Sequence, residues 1–157
     1  MTSNLERMLA LVQQVFDSKN DPEQLDVNEI VMERLRIIHP SSISEYDDGN
    51  GPVVWVLLIP TTEEIMKRFL SNEINEQAIL DLTPINVNYQ AIYLCSVLVL
   101  PEHRQKGLAK NLCLASIENI RKNNAINSLF VWPFSKEGES LAERISSEIN
   151  LKLYKKT

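Results

Sequence analysis

Leu5, Met8, Leu9, Val12, Val15 and Phe16 recur three and four residues apart, so the chain opens with an amphipathic helix. The polar stretch SKNDP breaks that period, and Asp21-Pro22 supplies a cap and first turn for a second helix. Running from Pro22 towards Ile38, this helix turns Leu25, Ile30, Val31, Leu35 and Ile38 inward, and Pro40 ends it. SSISEYDDGNG is polar, acidic and punctuated by glycine, and reads as a loop. PVVWVLLIP follows, a β-branched and aromatic run closed by Pro60: a buried strand. Thr61 and Glu64 have capping-box spacing ahead of Ile65, Met66, Phe69 and Leu70, so a helix starts there. Across 71–90 the pattern leaves two options for Ile79, Leu80 and Leu82, the close of that helix or an edge strand.

AIYLCSVLVL (91–100) is apolar on both faces, as a central strand covered by helices should be. From Gln105 to Ile120 the helical period returns, with Leu108, Leu112 and Ala115 at i, i+4 and i+7. SLFVWPF (128–134) is a further buried strand, GESLAERISSEI a short helix and LKLYKK a last strand. From Tyr93 onward the order strand, helix, strand, helix, strand demands crossover connections and some parallel pairing. No repeat or linker interrupts it. The expectation is one α/β (α+β) domain over residues 1–157.

Composition narrows the function. With 157 residues and 44% apolar content the chain can bury a sizeable core. Its 21 Asp and Glu against 16 Lys and Arg give a net charge of −5. That argues against general affinity for nucleic acid, which needs a dominant basic face. Cys95 and Cys113 each fall inside a regular element and read as small buried hydrophobes of a reducing compartment. No cysteine or histidine spacing suits a metal, so none is expected. The N-terminal segment lacks the basic start and unbroken apolar core of a signal peptide. No stretch approaches the ~20 apolar residues a membrane span takes. A cytoplasmic protein without a membrane partner is the expectation.

Against this acidic background one segment stands out, LVLPEHRQKGLAKNL, where the strongest strand gives way to a helix at Gly107. A helix start leaves its first N–H groups without intrahelical acceptors, and the helix dipole adds partial positive charge there. Gly107 and the small Ala109 permit a phosphate to approach the backbone. Arg104 and Lys106 add full charges suited to a diphosphate. By themselves the two cations also suit a solvated charge pair, but cations at a helix N-terminus are misplaced unless an anion sits there. The ATPase loop and the dinucleotide fingerprint both fail, for want of the required glycines and hydroxyl.

Arg104-Gln105-Lys106-Gly107-Leu108-Ala109, preceded by Pro101 and Glu102, resembles the central motif of the GNAT superfamily of N-acetyltransferases. Those proteins carry V-x-P-E-x, then [Arg/Gln]-x-x-Gly-x-[Gly/Ala], between a strand and a long helix. The resemblance is strong over 93–122, loose over 123–157 and only in outline over 1–90. It implies a GNAT-like mixed β-sheet, centrally splayed and flanked by helices. The strands at 93–100 and 128–134 would part like a V and admit the pantetheine arm of acetyl-CoA. Backbone groups of Leu98, Val99 and Leu100 would pair with that arm. Arg104, Gln105, Lys106, Gly107, Leu108 and Ala109 would hold the pyrophosphate.

The implied activity is acetyl-CoA-dependent N-acetyl transfer to a primary amine, small-molecule or peptide, by direct attack on the thioester. The alternative is a non-catalytic acyl-CoA-binding or regulatory module on the same fold. In the family a Tyr set in N-x-x-A-x-x-h-Y (h apolar) and followed by Gly-Phe often returns a proton to the thiolate. Aligning Ala142 on its Ala puts Glu139 at the Asn, Ile145 at the apolar site and Ser146 at the Tyr. Asn150-Leu151 stands where Gly-Phe is expected, so the usual acid is missing. Ser135, Ser140 and Ser146 are substitute candidates that equally suit caps or surface hydroxyls. Tyr93 and Ser96 lie on the right strand for a base, although core or rim packing is the favoured role for Tyr93. Glu102 and His103 lie at the phosphate end, which argues against either as base. The acidic run from Glu45 to Asp48 suits attraction of a cationic amine or a plain solvated face. Trp55 and Trp132 read as core aromatics, and Trp132 also suits a place beside the pantetheine arm. The sequence ends after its last strand without the further strand of many relatives. One wall of the acceptor pocket is then missing, or comes from a second subunit in a homodimer.

Overall fold

The computed structural model describes residues 3–19, 25 and 28–157. Helix α1 (Asn4–Lys19) forms as its period predicts. Among its described side chains only Met8 is fully buried, while Leu5 and Leu9, expected inward, stay about half exposed. The expected cap at Asp21-Pro22 lies outside the described residues. The second helix, α2 (Glu29–Ile38), is capped by Asn28, whose side chain accepts from the Val31 N–H at 2.9 Å. Val31, Leu35 and Ile38 set its inward phase, and Ile30, expected inward, is 82% exposed. At 100° per residue Ile30 cannot share the face chosen by Val31 and its i+4 and i+7 partners.

The polar stretch expected to be a loop contains strand β1 (Ile43–Asp47), paired antiparallel with β2 (Pro52–Thr61). An edge strand with an exposed far end needs backbone pairing rather than apolar side chains, so its composition hid it. The Asp47 carboxylate closes the hairpin, accepting from the N–H groups of Gly49 at 2.7 Å and Gly51 at 3.1 Å. Helix α3 (Glu63–Leu70) is capped by Thr62, one residue later than the capping-box spacing suggests. The Thr61 hydroxyl is bonded instead to that of Thr83, at 2.7 Å inside the core. Ile79, Leu80 and Leu82 belong to neither expected element. They lie on a separate helix, α4 (Glu76–Leu82), capped by Asn75, with Ile79 and Leu80 buried and Leu82 outside.

Strand β3 (Ala91–Val99) leads to α5 (Leu108–Arg121), β4 (Ser128–Val131), α6 (Lys136–Ile149) and β5 (Lys152–Lys155). The buried face of α5 is Cys113, Ser116, Ile117 and Ile120. Ala115, expected inward, is exposed, because one small residue cannot outweigh two isoleucines and a cysteine in setting the phase. The sheet order is β1-β2-β3-β4-β5, antiparallel up to β3 and parallel from β3 to β5. Among the described residues no helix is long and apolar enough to cross a membrane.

Two registers open the sheet at its centre. Against β2, Leu57 pairs with Ser96 but Leu58 pairs with Leu94, so Cys95 is an extra residue in β3. Such a β-bulge bends its strand and frees a backbone group from the ladder. Against β4, β3 is paired only where Ala91, Ile92 and Tyr93 meet Ser128, Leu129 and Phe130. Beyond that point β3 follows β2 while Val131 continues beside Lys155 of β5. The sheet is splayed where the sequence implied it would be. Residues 132–134, expected to extend β4, lie outside the ladder.

Candidate functional site

The splay is a cleft. One wall is β3 at residues 94–98; the other is Val131, Trp132, Pro133, Phe134 and Ser135. Cys113 of α5 and Gly138, Leu141, Ala142 and Ile145 of α6 close it from one face of the sheet. The lining is mostly apolar, so it suits an extended chain with a thioester rather than a charged group. Burial pushes the Cys113 thiol up to about 12, which leaves it a packing residue rather than a nucleophile.

Beyond the cleft, β3 leads through residues 100–107 into the start of α5. Among the described residues, every other α-helix begins with a side-chain cap. Ser3 accepts from Glu6 N–H in α1, and Asn28, Thr62, Asn75 and Ser135 do the same for α2, α3, α4 and α6. Helix α5 begins at Gly107 with no side-chain cap and no acid in its first turn. That exception points to an external acceptor for its N–H groups. Gly107 sits at φ +77° and Gln105 at φ +63°. The other non-glycine residues at positive φ are asparagines, which tolerate that region, so glutamine there is the unusual choice. Left-handed residues set among ordinary ones turn successive N–H groups towards one point, a nest for an anion. A Cβ on Gly107 would have Asn111 Nδ2 as its nearest neighbour, at 3.9 Å. Its φ alone thus explains the glycine within the chain, and the space above it is open.

Arg104, Gln105, Lys106 and Gly107 are exposed, and Leu108 and Ala109 are half-buried at the helix start. Arg104 folds back, its Nε donating to the Val99 carbonyl at 3.0 Å, which ties the loop to the end of β3. Behind the loop, Arg7 of α1 donates to Glu102 at 2.6 Å. That hydrogen bond holds the Glu102 carboxyl down at about 2. His103 Nε2 lies 3.5 Å from Asp48 of the β1–β2 hairpin. Glu102 and His103 are thus engaged with α1 and the hairpin, beside the 104–107 loop. Of the residues expected to pair with an extended ligand, Leu98 lines the cleft. Leu100 donates its N–H to the Val53 carbonyl at 3.0 Å, and Val99 accepts from Arg104. The lining stretch of β3 starts earlier, at Leu94.

The candidate catalytic residues scatter. Tyr93 is 1% exposed, its ring against Phe69 and Phe130 and its hydroxyl donating to the buried Glu76 carboxylate. Burial and the Glu76 charge raise its pKa well above the usual phenol value. It lies outside the cleft lining. Ser140 is exposed and also outside the lining. Ser146 donates its hydroxyl to the Leu151 carbonyl. Ser135 alone of the three serines touches the cleft, while capping α6 through Gly138 N–H at 3.0 Å. Asn150 caps the end of α6 at φ +59°, the left-handed position a glycine would fill, which accounts for the departure from Gly-Phe. The acidic run is spent on the hairpin. Glu45 accepts from the Trp55 indole at 2.7 Å, while Asp47 and Asp48 cap the turn. Ser96, which the sequence placed on the right strand, lines the cleft. Sequence reasoning missed Leu94, Cys95, Val97 and Phe134. It also missed the inward ladder Gly138, Leu141, Ala142 and Ile145, which the i, i+3, i+4, i+7 spacing of small and apolar residues in α6 could have given.

A bulged central strand, a parallel neighbour that leaves it and an uncapped α-helix start set this site apart. The chain belongs to the GNAT family of acetyltransferases, whose sequence profile matches residues 44–142. A ribosomal-protein-alanine N-acetyltransferase from Brucella melitensis biovar Abortus 2308 is similar in structure, with a TM-score of 0.48 and 14% identity. The match covers 90% of this chain and 81% of that one. No curated protein matches the chain.

Proposed function

We propose that the protein is an acetyl-CoA-dependent N-acetyltransferase acting on a primary amine. The observation that carries this reading is an apolar cleft at the bulge of β3, the strand whose end leads through the 104–107 loop into the α-helix that starts without a side-chain cap. The residues fit such a donor, which brings an acetyl group activated as a thioester. N–H groups of residues 105–109 would hold its pyrophosphate, with Lys106 and Arg104 adding charge. The apolar walls would exclude water from the thioester. A backbone N–H of β3 would face the acyl oxygen, where developing negative charge needs a donor. The amine must arrive neutral and lose a proton as it attacks. No carboxylate, histidine or tyrosine is among the lining residues, so the chain leaves proton traffic to water and the departing thiolate.

The engaged Ser146 is the observation that favours the second reading, an acyl-CoA-binding module without catalysis. Thiol release from acetyl-CoA in the presence of a panel of primary amines separates the two. Amine-dependent release is expected, with Ser135→Ala, Ser140→Ala and Ser146→Ala each within a few-fold of the parent. A general acid contributes about 10²–10⁴-fold, so a loss of that size in one serine variant would identify a donor. Binding of CoA with no release for any amine would select the second reading.

A further inference from the structure

Helix α2 has two apolar faces, and the core uses one of them. Val31, Leu35 and Ile38 are buried against the rest of the molecule. Ile30 is 82% exposed and Ile37 52%. At 3.6 residues per turn Ile30, Glu33, Arg34 and Ile37 fall within a sector of about 100°. A shallow groove runs along this stripe, lined among the described residues by Glu29, Ile30, Glu33, Arg34 and Ile37. One apolar side chain on a surface needs no explanation, but two that share a groove form a seam.

The charges along the seam are ordered. Glu29 and Glu33 lie in the first half of the helix, Arg34 and Arg36 in the second. Read from either end, the stripe is isoleucine, a charge, the opposite charge, isoleucine. Among the described residues none of Glu29, Glu33 and Arg36 takes part in an ion pair. Glu29 and Glu33 are like charges one turn apart, an arrangement that costs a helix stability unless cations face it. Arg34 is fixed beside the seam, where its Nε and Nη2 donate to the Leu80 and Thr83 carbonyls at 3.4 and 2.6 Å. Its charge is therefore in place before any partner arrives.

We propose that α2 is the interface between two copies of this chain, packed antiparallel about a two-fold axis that passes between Glu33 and Arg34. A two-fold contact sets residue i against j and j against i. Ile30 then meets Ile37 of the partner subunit, and the acidic half of each helix meets the basic half of the other. Parallel packing would set acid against acid. The charge order thus selects a second copy, because the helix already carries its own complement. This inference is independent of the donor reading.

Sedimentation velocity of the intact protein over a range of concentrations tests it. One helix face is at the low end of specific interfaces, so the dimer fraction should rise with concentration. Ile30→Asp should weaken self-association by about tenfold or more, since it sets a charge in an apolar contact. That side chain faces solvent in the single chain, so the variant should keep the melting temperature of the parent monomer. Glu29→Lys should also weaken the dimer, and adding Arg36→Glu to the same chain should restore it. On mild oxidation, chains carrying Ile30→Cys should cross-link to chains carrying Ile37→Cys in preference to their own kind. A protein that stays monomeric at every concentration leaves this face to some other partner and overturns the proposal. A dimer indifferent to Ile30→Asp and to charge reversal lies elsewhere on the surface and overturns it as well. Cross-linking of Ile30→Cys chains to one another as readily as to Ile37→Cys chains would defeat the antiparallel arrangement, and with it the argument from charge.

Discussion

Tyr93 donates its hydroxyl to Glu76 in the layer beneath α3 and α4, and the same carboxylate accepts from Leu25 N–H at 2.7 Å. A side chain so used belongs to the core, the role the sequence favoured for it without excluding the site. Its partner stands 17 residues away in a segment without a clear period, so nothing local could decide between the two. Tyr93→Phe removes a donor from a buried carboxylate, at a cost of about 1–3 kcal/mol. The melting temperature should fall by several degrees, while kcat for any amine the parent accepts stays within a few-fold. A kcat loss of a hundredfold in a folded variant would return Tyr93 to the mechanism. Gly107 was legible for a different reason. A glycine between two cationic positions at a strand–helix junction is a local signal, complete within a few residues.

At the scale of elements, the sequence was most informative where burial is two-sided. Strands β2 and β3 and helix α6 were legible because apolar runs and helical periods report a core on every turn. Strand β1 was not, since backbone pairing at an edge leaves no mark on side chains. Helix α4 was hidden by its length of one short amphipathic segment, and the phase of α5 by Ala115, which fits either face. The bulge at Cys95 depends on the register against β2 and has no signature in the apolar run. The start of α5 yields the prediction that belongs here. At φ +77°, Gly107→Ala should cost about 1–2 kcal/mol, with acetyl-CoA binding retained because a methyl group has room. Gly107→Glu should melt lower for the same reason and also lose its response to ligand. In the parent, acetyl-CoA at about 100 times its Kd should contribute roughly 2.7 kcal/mol, a rise of about 5–10 °C in Tm. A folded Gly107→Glu protein that keeps this rise would defeat the phosphate-cradle reading.

For the whole molecule, the antiparallel hairpin of β1 and β2 and helix α1 form a frame behind the phosphate loop, through Arg7–Glu102 and the approach of His103 to Asp48. The parallel half carries the cleft. An acidic chain with net charge −5 thus still sets two exposed cations, Arg104 and Lys106, at the strand–helix junction, where a diphosphate would meet them. The central claim is that CoA lies in the splay with its pyrophosphate at the start of α5. Titrating CoA into ¹⁵N-labelled protein and following the backbone amides tests this directly. The amides of residues 105–109 and 94–98 should shift together and saturate with one affinity, and those of β1 should stay in place. Saturating shifts confined to α2 or β1, or no shifts at all, would contradict the account.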